Sequence, residues 1–514
     1  MREMAHHPLL YEINTRCWLN EFSTQAGTEI HLGNVPEEEF LRWKRLGFTH
    51  IWLMGVWTTG PRARRHSLND PGLRQKYSEV LPDWQERDVL GSPYAVAEYR
   101  VAIRLGGEAG LRRFRERLCE QGLKLILDFV PNHLGIDHDW IVERPELLVQ
   151  TSAHAPESFR RKTREGNRWF AHGKDPNFPA WVDTVQLDYR RAETRAAMIE
   201  GLQAISNLCD GVRCDMAMLL LNEVMTKVWG APAASSAIDQ EFWPEAIDRV
   251  KQARPDFLFL AEAYWGLESR LQEMGFDYTY EKESYDYLIA RNHGALQRHL
   301  LNKPPDYLRR SIHFLENHDE PRIASTLTLA EHRAAALATL GLPGMRLLHE
   351  GQLTGLRIQA LVHLGRRARE GVDPEVATFY ENLLAVLQNT AVGRGQFAVL
   401  RPFAVWDGNS TTENFVIVQW WEAPKAFDLV VVNLTGHQSQ CCVRIISVGI
   451  AEHLWRMQDL LGNQSYERSS DHLQQHGLFL DVAAHATQLF HCQCIYKPNS
   501  LTAKNAEIIK KSRT

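Results

Sequence analysis

The segment LILDFVPNH (125–133) decides the fold of this chain, together with three segments of the same kind: GVRCDMAM (211–218), FLAEAYW (259–265) and FLENHDEPR (314–322). Each begins as an apolar run and ends in carboxylates, histidine, arginine or asparagine. A buried parallel strand has such a continuous apolar run. The C-terminal strand ends carry the functional residues of a (β/α)8 barrel. The segments therefore predict an acidic pocket at a barrel mouth, formed by Asp128, Asp215, Glu262 and Asp319.

Strand-like and helix-like runs alternate from the N-terminus to about residue 390. The helical runs have a period near 3.6, and several end at a glycine, as 36–47 and 106–122 do. Eight alternations predict an α/β fold, a parallel (β/α)8 TIM barrel rather than an open doubly wound sheet. The predicted strands are 10–19, 49–57, 123–130, 211–216, 256–264, 277–281, 311–317 and 344–351.

Two insertions and a change of pattern indicate further units. Residues 58–92, rich in Arg, Gly, Pro and Asp, are predicted to form a long loop, and loops of this length are usually functional. After about residue 395, short β-rich runs separated by turn residues predict an antiparallel β-sandwich. We therefore divide the chain into a barrel (1–133 and 191–392), a short domain inserted after strand three (134–190), a C-terminal β-sandwich (393–497) and a disordered tail (498–514).

The composition excludes several classes of protein. The chain has 514 residues, of which 44% are hydrophobic, and Lys+Arg 58 against Asp+Glu 63 gives a formal net charge of −5. This near-neutral balance predicts no nucleic-acid partner and no membrane partner. The sequence has no run of roughly 18 apolar residues and no signal-peptide core near its N-terminus. Scattered cysteines are typical of structural thiols in a reducing compartment, so we expect a cytoplasmic location.

The carboxylates in the second and third segments, Asp215 and Glu262, suit acid–base chemistry. Residues two apart on a strand share a face, so Arg213 and Asp215 point the same way. We expect Arg213 to lower the pKa of Asp215 and to keep this carboxylate ionised, as a nucleophile requires. Glu262 emerges from an apolar strand, where desolvation would raise its pKa, as a general acid requires. Two carboxyl groups whose pKa values are pushed apart are the requirement for glycoside cleavage.

Each of these residues also has a plain structural interpretation. A single aspartate at a strand end is usually a helix cap or a turn residue, and Arg213–Asp215 alone would suit a structural ion pair. His133 or His318 alone would more often be a structural histidine with its hydrogen bonds satisfied. The ordered occurrence of all four segments, each at a strand end, favours the functional interpretation.

The four segments resemble the signature motifs of the α-amylase family, glycoside hydrolase family 13, and the resemblance extends over the barrel and the C-terminal sandwich. D-x-x-x-N-H corresponds to Asp128, Asn132 and His133, G-x-R-x-D to Gly211, Arg213 and Asp215, and N-H-D to Asn317, His318 and Asp319. The resemblance implies Asp215 as the nucleophile, Glu262 as the acid/base and Asp319 as the transition-state stabiliser. GSPYAVAEY (91–99) is similar to a further family motif. The substrate-binding residues that the resemblance implies are Tyr94, Asp128, His133, Arg213 and His318.

The chain departs from the family pattern in two ways that concern substrate and metal. Starch-cleaving members often carry Lys-His shortly after the nucleophile, whereas this chain has Met218 and Leu219. An apolar rim formed by these residues would disfavour water as the attacking group. Asn132 is a calcium ligand in many members, but the acidic loop of members with an N-terminal calcium site is not evident. We therefore expect no required cofactor and no metal site, with a structural calcium ion at Asn132 as the alternative.

These features predict a retaining α-glycoside hydrolase that acts on α-glucosides such as maltooligosaccharides or a storage glucan. An α-glucan transglycosylase or isomerase of the same family would differ only in the group that attacks the glycosyl-enzyme. A non-catalytic carbohydrate-binding or scaffold barrel is the alternative of another class. Such a barrel would be expected to lack at least one of the three carboxylates, and all three are present.

Overall fold

The structure is a computed structural model that describes residues 7–230, 240–446 and 453–495. The predicted tail 498–514 lies outside the described residues. Up to residue 349 the strands are β1 (Leu9–Asn14), β2 (His50–Met54), β3 (Trp57–Thr59), β4 (Val96–Val101), β5 (Lys124–Phe129), β6 (His133–Gly135), β7 (Ser158–Thr163), β8 (Gly166–Ala171), β9 (Thr184–Gln186), β10 (Gly211–Cys214), β11 (Leu258–Ala261), β12 (Tyr278–Tyr280), β13 (Ser311–Phe314) and β14 (Met345–His349).

Most of the helices connect these strands on the outside of the sheet. They are α1 (Thr15–Ala26), α2 (Glu37–Arg45), α3 (Pro61–Asn69), α4 (Pro71–Val80), α5 (Gly107–Glu120), α6 (Trp140–Glu143), α7 (Ala192–Ser206), α8 (Asn222–Trp229), α9 (Phe242–Ala253), α10 (Glu268–Glu273), α11 (Lys282–Ile289), α12 (His293–Asn302), α13 (Pro305–Arg309), α14 (Ile323–Thr326), α15 (Leu329–Leu340), α16 (Pro374–Leu387) and α17 (Ser470–His476).

Eight parallel strands close into a barrel in the order β1-β14-β13-β12-β11-β10-β5-β2, which confirms the predicted fold class. Seven of the predicted segments contain a barrel strand, and the first overlaps β1, which begins one residue earlier at Leu9. The first prediction is too long, because the chain turns into helix α1 at Asn14. The Asn14 side chain accepts a hydrogen bond from the backbone N–H of Cys17 and so caps the helix. Residues 15–19 are therefore helical and not extended.

Residues 58–92 are not a long loop, because they contain helices α3 and α4. Each helix begins at a proline, Pro61 or Pro71, and Pro is well suited to the first helical position. Asp70 caps α4 by accepting a hydrogen bond from the backbone N–H of Leu73 at 2.7 Å. The Pro and Asp residues that suggested a loop stand instead at the starts of the two helices. The segment between β5 and α7 adds the hairpin β7–β8 and the short pair β6–β9.

The C-terminal strands are antiparallel and form two sheets, as the sequence predicted. The larger sheet has the order β15-β17-β18-β23-β20-β21 and the smaller one the order β16-β19-β22. A separate apolar cluster that includes Phe415, Trp455 and Leu480 draws residues from both sheets. The strands are β15 (Gln396–Val399), β16 (Pro402–Phe403), β17 (Phe415–Ala423), β18 (Ala426–Asn433), β19 (Ser439–Val443), β20 (Leu454–Asp459), β21 (Ser465–Ser469), β22 (Leu478–Val482) and β23 (Thr487–Ile495).

Candidate active site

The barrel register places Asp215 and Glu262 next to each other. Cys214 of β10 pairs with Ala261 of β11, and each of the two carboxylates is the next residue along its strand. The Glu262 N–H donates to the carbonyl of Cys214 at 3.1 Å, and the Asp215 N–H donates to the carbonyl of Phe129 at 2.8 Å. Both side chains are buried. The sheet itself therefore fixes the two carboxylates at one strand end.

Arg213 lies between these carboxylates, as strand alternation predicted. Its Nη1 donates to Asp215 Oδ1 at 2.6 Å, and its Nη2 lies 2.7 Å from Glu262 Oε2. Asp128 Oδ1 is 4.0 Å from Nη1. The guanidinium is 1% exposed, and the Tyr94 ring lies 5.4 Å from its central carbon. One buried cation thus contacts two carboxylates at close range and faces a third.

His318 joins Asp319 to the rest of the site. Its Nε2 lies 2.7 Å from the Tyr94 hydroxyl and 3.1 Å from Asp319 Oδ2. Its Nδ1 contacts Glu12 Oε1 at 2.5 Å, and Glu12 is fully buried on β1. The Asp319 side chain is 49% exposed, so this edge of the site faces solvent.

The remaining predicted binding residues lie on the neighbouring strand ends. Asp128 accepts hydrogen bonds from Trp52 Nε1 at 3.2 Å and from the Gly55 N–H at 3.0 Å. His133 is buried, and its ring packs 5.0 Å from that of Trp181. Tyr94 stacks on His318 at 5.4 Å. The structure therefore groups Tyr94 and the four predicted carboxylates around Arg213 and His318.

The pKa values of the three carboxyls differ because burial and neighbouring charges act on each of them to a different extent. Burial raises the pKa of Glu262 to about 7, against the opposing effect of Arg213. Desolvation would also raise the pKa of Asp319, but the charge on His318 outweighs it and lowers that pKa to about 2. Glu262 is thus the carboxyl best placed to hold a proton near neutral pH.

The pKa prediction for Asp215 is wrong in direction. Burial raises its pKa above the ordinary aspartate value, and the Arg213 charge and hydrogen bond offset only part of this effect. Burial likewise raises the pKa of Asp128 to about 6 and lowers that of His133 to about 4. The sequence shows which residues are neighbours but not how completely they are desolvated.

Three residues at the site were missed by the sequence analysis. Glu12 contacts His318, and the Tyr264 hydroxyl donates to Glu262 Oε1 at 2.8 Å. The N–H of Met216 donates to Glu262 Oε2 at 2.7 Å, and Met216 has a left-handed backbone with φ 44°. Such a conformation is costly for a residue with a side chain and is concentrated at functional sites. The YE pair on the first strand and the tyrosine two residues after Glu262 were available signals.

Met218 and Leu219 do not form a rim on the site. They lie in a 3-10 helix, Ala217–Leu220, and both are buried in the main apolar core. The expected effect of an apolar rim on water therefore has no structural basis. The reason is local: the chain enters this helix directly after Met216, and all four residues of the helix are buried.

Both oxygens of Asn132 accept a hydrogen bond from the Gln186 side chain. Gln186 Nε2 donates to the Asn132 carbonyl at 2.8 Å and to its side-chain oxygen at 3.1 Å. Within the described residues, the one group of His, Cys, Asp and Glu with metal-like spacing is Glu281, Glu283 and His299, away from Asn132.

Comparisons with known proteins agree with this geometry. Residues 40–375 match the family model described as alpha amylase, catalytic domain. Alpha-amylase MalA from Haloarcula japonica is 25% identical over 336 residues, covering 62% of this chain and 45% of that protein. An alpha-1,4-glucan:maltose-1-phosphate maltosyltransferase from Myxococcus xanthus is 23% identical over 329 residues, covering 60% of this chain and 41% of that protein. The noncanonic maltogenic alpha-amylase AmyB from Thermotoga neapolitana has a similar fold, with a TM-score of 0.67 at 19% identity over 95% of this chain and 99% of that one.

The fold and the family-model match together identify residues 40–375 as an alpha-amylase catalytic domain. The chain belongs to the alpha-amylase family. It spans less than half the length of the two curated relatives that it matches. In the described residues, no helix is long and apolar enough to cross a membrane.

Proposed function

We propose that the protein is a retaining α-glycoside hydrolase that acts on α-glucosides such as maltooligosaccharides or a storage glucan. The observation that carries this proposal is the position of Arg213, whose guanidinium contacts both Asp215 and Glu262. Retaining enzymes need two carboxyl groups only about 5–5.5 Å apart. A single planar guanidinium that contacts both groups supports such a short separation.

The proposed reaction proceeds in two displacements. Asp215 attacks the anomeric carbon while Glu262 donates its proton to the departing glycosidic oxygen, and a covalent glycosyl-enzyme forms. The Glu262 carboxylate then takes a proton from water as the water attacks the same carbon and Asp215 leaves. Asp319, ionised beside His318, stabilises the positive charge that develops on the sugar ring.

The test is to incubate the protein with maltooligosaccharides, trehalose, sucrose and isomaltose and to separate the products. Proton NMR of the first product formed should show the α-anomer, because double displacement retains configuration. Asp215→Asn should abolish turnover, since the amide cannot form the covalent intermediate. Asp248→Asn, the same change on the exposed face of α9, is the matched control. Release of the β-anomer, or full turnover by Asp215→Asn, would contradict the proposal.

Transfer to another sugar is the second candidate, and the similarity to a maltosyltransferase favours it. Hydrolysis and transfer share the glycosyl-enzyme and differ in the attacking group. A short saccharide acceptor added to the reaction distinguishes them, because a transferase converts donor to longer products in preference to free sugar. If the wild type releases no sugar and forms no longer product from any donor, a non-catalytic carbohydrate-binding barrel becomes the better interpretation.

We further propose that catalysis needs no metal or cofactor and that the protein acts in the cytoplasm. Support for the first statement is the occupation of the Asn132 oxygens by Gln186. Support for the second is that all eight cysteines are free thiols, as in reducing compartments. Activity should therefore survive prolonged treatment with a calcium chelator, and cell fractionation should recover the protein with cytoplasmic markers.

A further inference from the structure

A cavity of about 280 Å³ beside the hairpin β7–β8 is lined by an unusual number of cations. Four arginines and one histidine line it, and no carboxylate does. The chain as a whole carries a net charge of −5, so this concentration does not follow from the composition. The lining residues are Arg62, Arg65, His66, Asn69, Ile136, Phe159, Arg160 and Arg161.

Helix α3 presents one of its faces to this cavity. Arg62, Arg65, His66 and Asn69 have the spacing i, i+3, i+4 and i+7, which places residues on one side of a helix. The opposite side of α3 carries Ala63 and Ser67, which are buried. The fold therefore anchors one face of α3 and leaves its cationic face pointing into the cavity.

These arginines have no protein anion to neutralise them. Within the described parts of the chain, no salt bridge involves Arg62, Arg65, Arg160 or Arg161, although many other arginines form one. The Arg161 guanidinium donates a hydrogen bond to the Ile136 carbonyl at 2.9 Å.

Two carboxylates lie near the cavity without lining it. Asp137 Oδ2 accepts the backbone N–H groups of Arg62 and Ala63 at 2.9 and 3.0 Å, so it caps the first turn of α3. Asp183 is close enough for His66 to affect its pKa, which burial raises to about 6. The guanidinium groups thus offer unused donors, and guanidinium binds phosphate through paired hydrogen bonds.

One wall of the cavity lies near residues that are predicted to bind substrate. Its wall residue Ile136 follows His133 by three positions, so their Cα atoms are at most about 11 Å apart. Ile136 also packs in one apolar cluster with Ala95, the neighbour of Tyr94, and with Ala63 and Phe159.

We propose that the cavity binds the phosphate group of a phosphorylated saccharide whose glycosidic bond lies at the barrel mouth. This inference rests on the proposed glycosidase function and adds the class of substrate. Arg62, Arg65 and Arg160 supply the charge-assisted hydrogen bonds to the phosphate. They are specificity residues, because they touch the substrate away from the bond that is broken.

The test measures binding by calorimetry in the Asp215→Asn background, where turnover does not disturb the measurement. The probes are maltotriose, maltotriose with a terminal phosphate monoester, and inorganic phosphate. The phosphorylated sugar should bind at least about tenfold more tightly than maltotriose, as expected for charge-assisted hydrogen bonds. Arg62→Gln/Arg65→Gln should remove this advantage and leave maltotriose binding unchanged. Both side chains are exposed, so the fold should tolerate the change.

The matched control is Arg112→Gln/Arg113→Gln on α5, a second pair of exposed helical arginines that form no salt bridge in the described structure. It removes the same charge from another surface and should keep the full advantage of the phosphate. Equal binding of the two sugars by the wild type would overturn the proposal, as would equal losses in both double variants. If inorganic phosphate alone bound as tightly as the phosphorylated sugar, this result would also overturn the proposal and indicate a free-anion site. Absence of turnover on every α-glucoside would defeat the proposed function, while the binding measurement would still report on the cavity.

Discussion

Arg213 illustrates how one residue sets the electrostatics of the barrel mouth. Its guanidinium is buried, carries a full charge and contacts two carboxylates. An unpaired charge in such a place would be strongly destabilising, and each carboxylate alone would be driven towards its neutral form. The three groups therefore stabilise one another in their charged forms, and Glu262 remains the group whose pKa, about 7, allows it to exchange a proton near neutral pH.

These pKa values predict a bell-shaped dependence of kcat/KM on pH. Activity needs Asp215 ionised and Glu262 protonated, so it should fall as pH rises through about 7, roughly tenfold per unit. The acid limb should lie above the ordinary aspartate pKa, because burial raises the pKa of Asp215. Measuring kcat/KM on a maltooligosaccharide across the pH range checks both limbs.

The alkaline limb is assigned with a variant and an activated substrate. Glu262→Gln should lose activity on maltooligosaccharides but retain more on an α-glucosyl fluoride, whose leaving group needs little protonation. With the fluoride, the variant should keep the acid limb and lose the alkaline one. Glu273→Gln, a change at an exposed position on α10, should keep both limbs of the pH profile of kcat/KM. An alkaline limb that persists in Glu262→Gln would assign it to another group.

Glu12 is predicted to be a positioning residue that acts through His318. Replacement by Gln removes the anion at Nδ1, so the pKa of His318, now raised well above its usual range, should fall. His318 would then be a weaker cationic partner for Asp319. Since each pKa unit corresponds to about a tenfold factor, we expect kcat to fall about tenfold to a hundredfold with a smaller change in KM. NMR titration of the His318 ring measures the cause, and kinetics measure the effect.

The control for Glu12 is another buried glutamate paired with histidine. Glu281 Oε1 contacts His299 Nε2 at 2.8 Å, away from the catalytic carboxylates. Glu281→Gln should lower stability without moving the titration of His318 or the pH profile of kcat. If Glu12→Gln lowers kcat while the His318 titration stays in place, Glu12 acts by another route.

At the residue scale the sequence located the carboxylates but not the groups that tune them. Asp128, Asp215, Glu262 and Asp319 stand at strand ends, where a local pattern reveals them. Glu12 lies 306 positions before its partner His318, so no local pattern links the two. The pKa direction of Asp215 failed for a related reason, because desolvation depends on every element that packs over the carboxyl.

At the scale of elements, the buried barrel strands were predictable and the helices outside them less so. All eight barrel strands overlap predicted apolar segments, since burial on both faces leaves a strong signal. Helices α3 and α4 were missed because their residues are polar and their start signals, Pro61 and Pro71, also occur in loops. Because one face of α3 is cationic and exposed, apolar residues do not recur in this segment at the spacing that predicts a helix.

Gly341, at the end of α15, marks a close approach of two elements. A Cβ added there would lie 2.8 Å from Val430 Cγ1 on β18, whereas the backbone φ is an ordinary −81°. Gly341→Ala should therefore destabilise the protein by about 1–3 kcal/mol through overpacking. Val430→Ala in the same background should recover part of the loss. Chemical denaturation of the single and double variants measures both effects.

The control for Gly341 is the same substitution in open space. Gly201 lies inside α7, and an added Cβ there would meet nothing within 4 Å. Gly201→Ala should stabilise the protein by about 0.5–1 kcal/mol, because alanine loses less backbone entropy in a helix. Equal effects of the two substitutions would show that backbone entropy, and not contact with β18, decides the outcome at Gly341.

At the scale of the whole molecule, the barrel and the larger C-terminal sheet share a buried interface. Trp420 on β17 is fully buried, and its indole N–H donates to the carbonyl of Gly341 at 2.8 Å. Asp428 on β18 accepts from the backbone N–H of Ala391 at 2.6 Å. The antiparallel C-terminal strands could be predicted from the change in strand pattern. These contacts could not, since they join residues that are distant in sequence.

This interface predicts that the barrel and the larger sheet unfold together. Trp420→Ala removes a large buried side chain and its hydrogen bond, so we expect a loss of about 3–5 kcal/mol. The loss should appear equally in the denaturation of the sheet, followed by circular dichroism, and in the disappearance of turnover, which reports the barrel mouth. Trp406→Ala, at a site that is 53% exposed, should change neither curve. If turnover survives at denaturant concentrations where the sheet signal of Trp420→Ala is already lost, the barrel folds independently, and the buried indole serves only to attach the sheet.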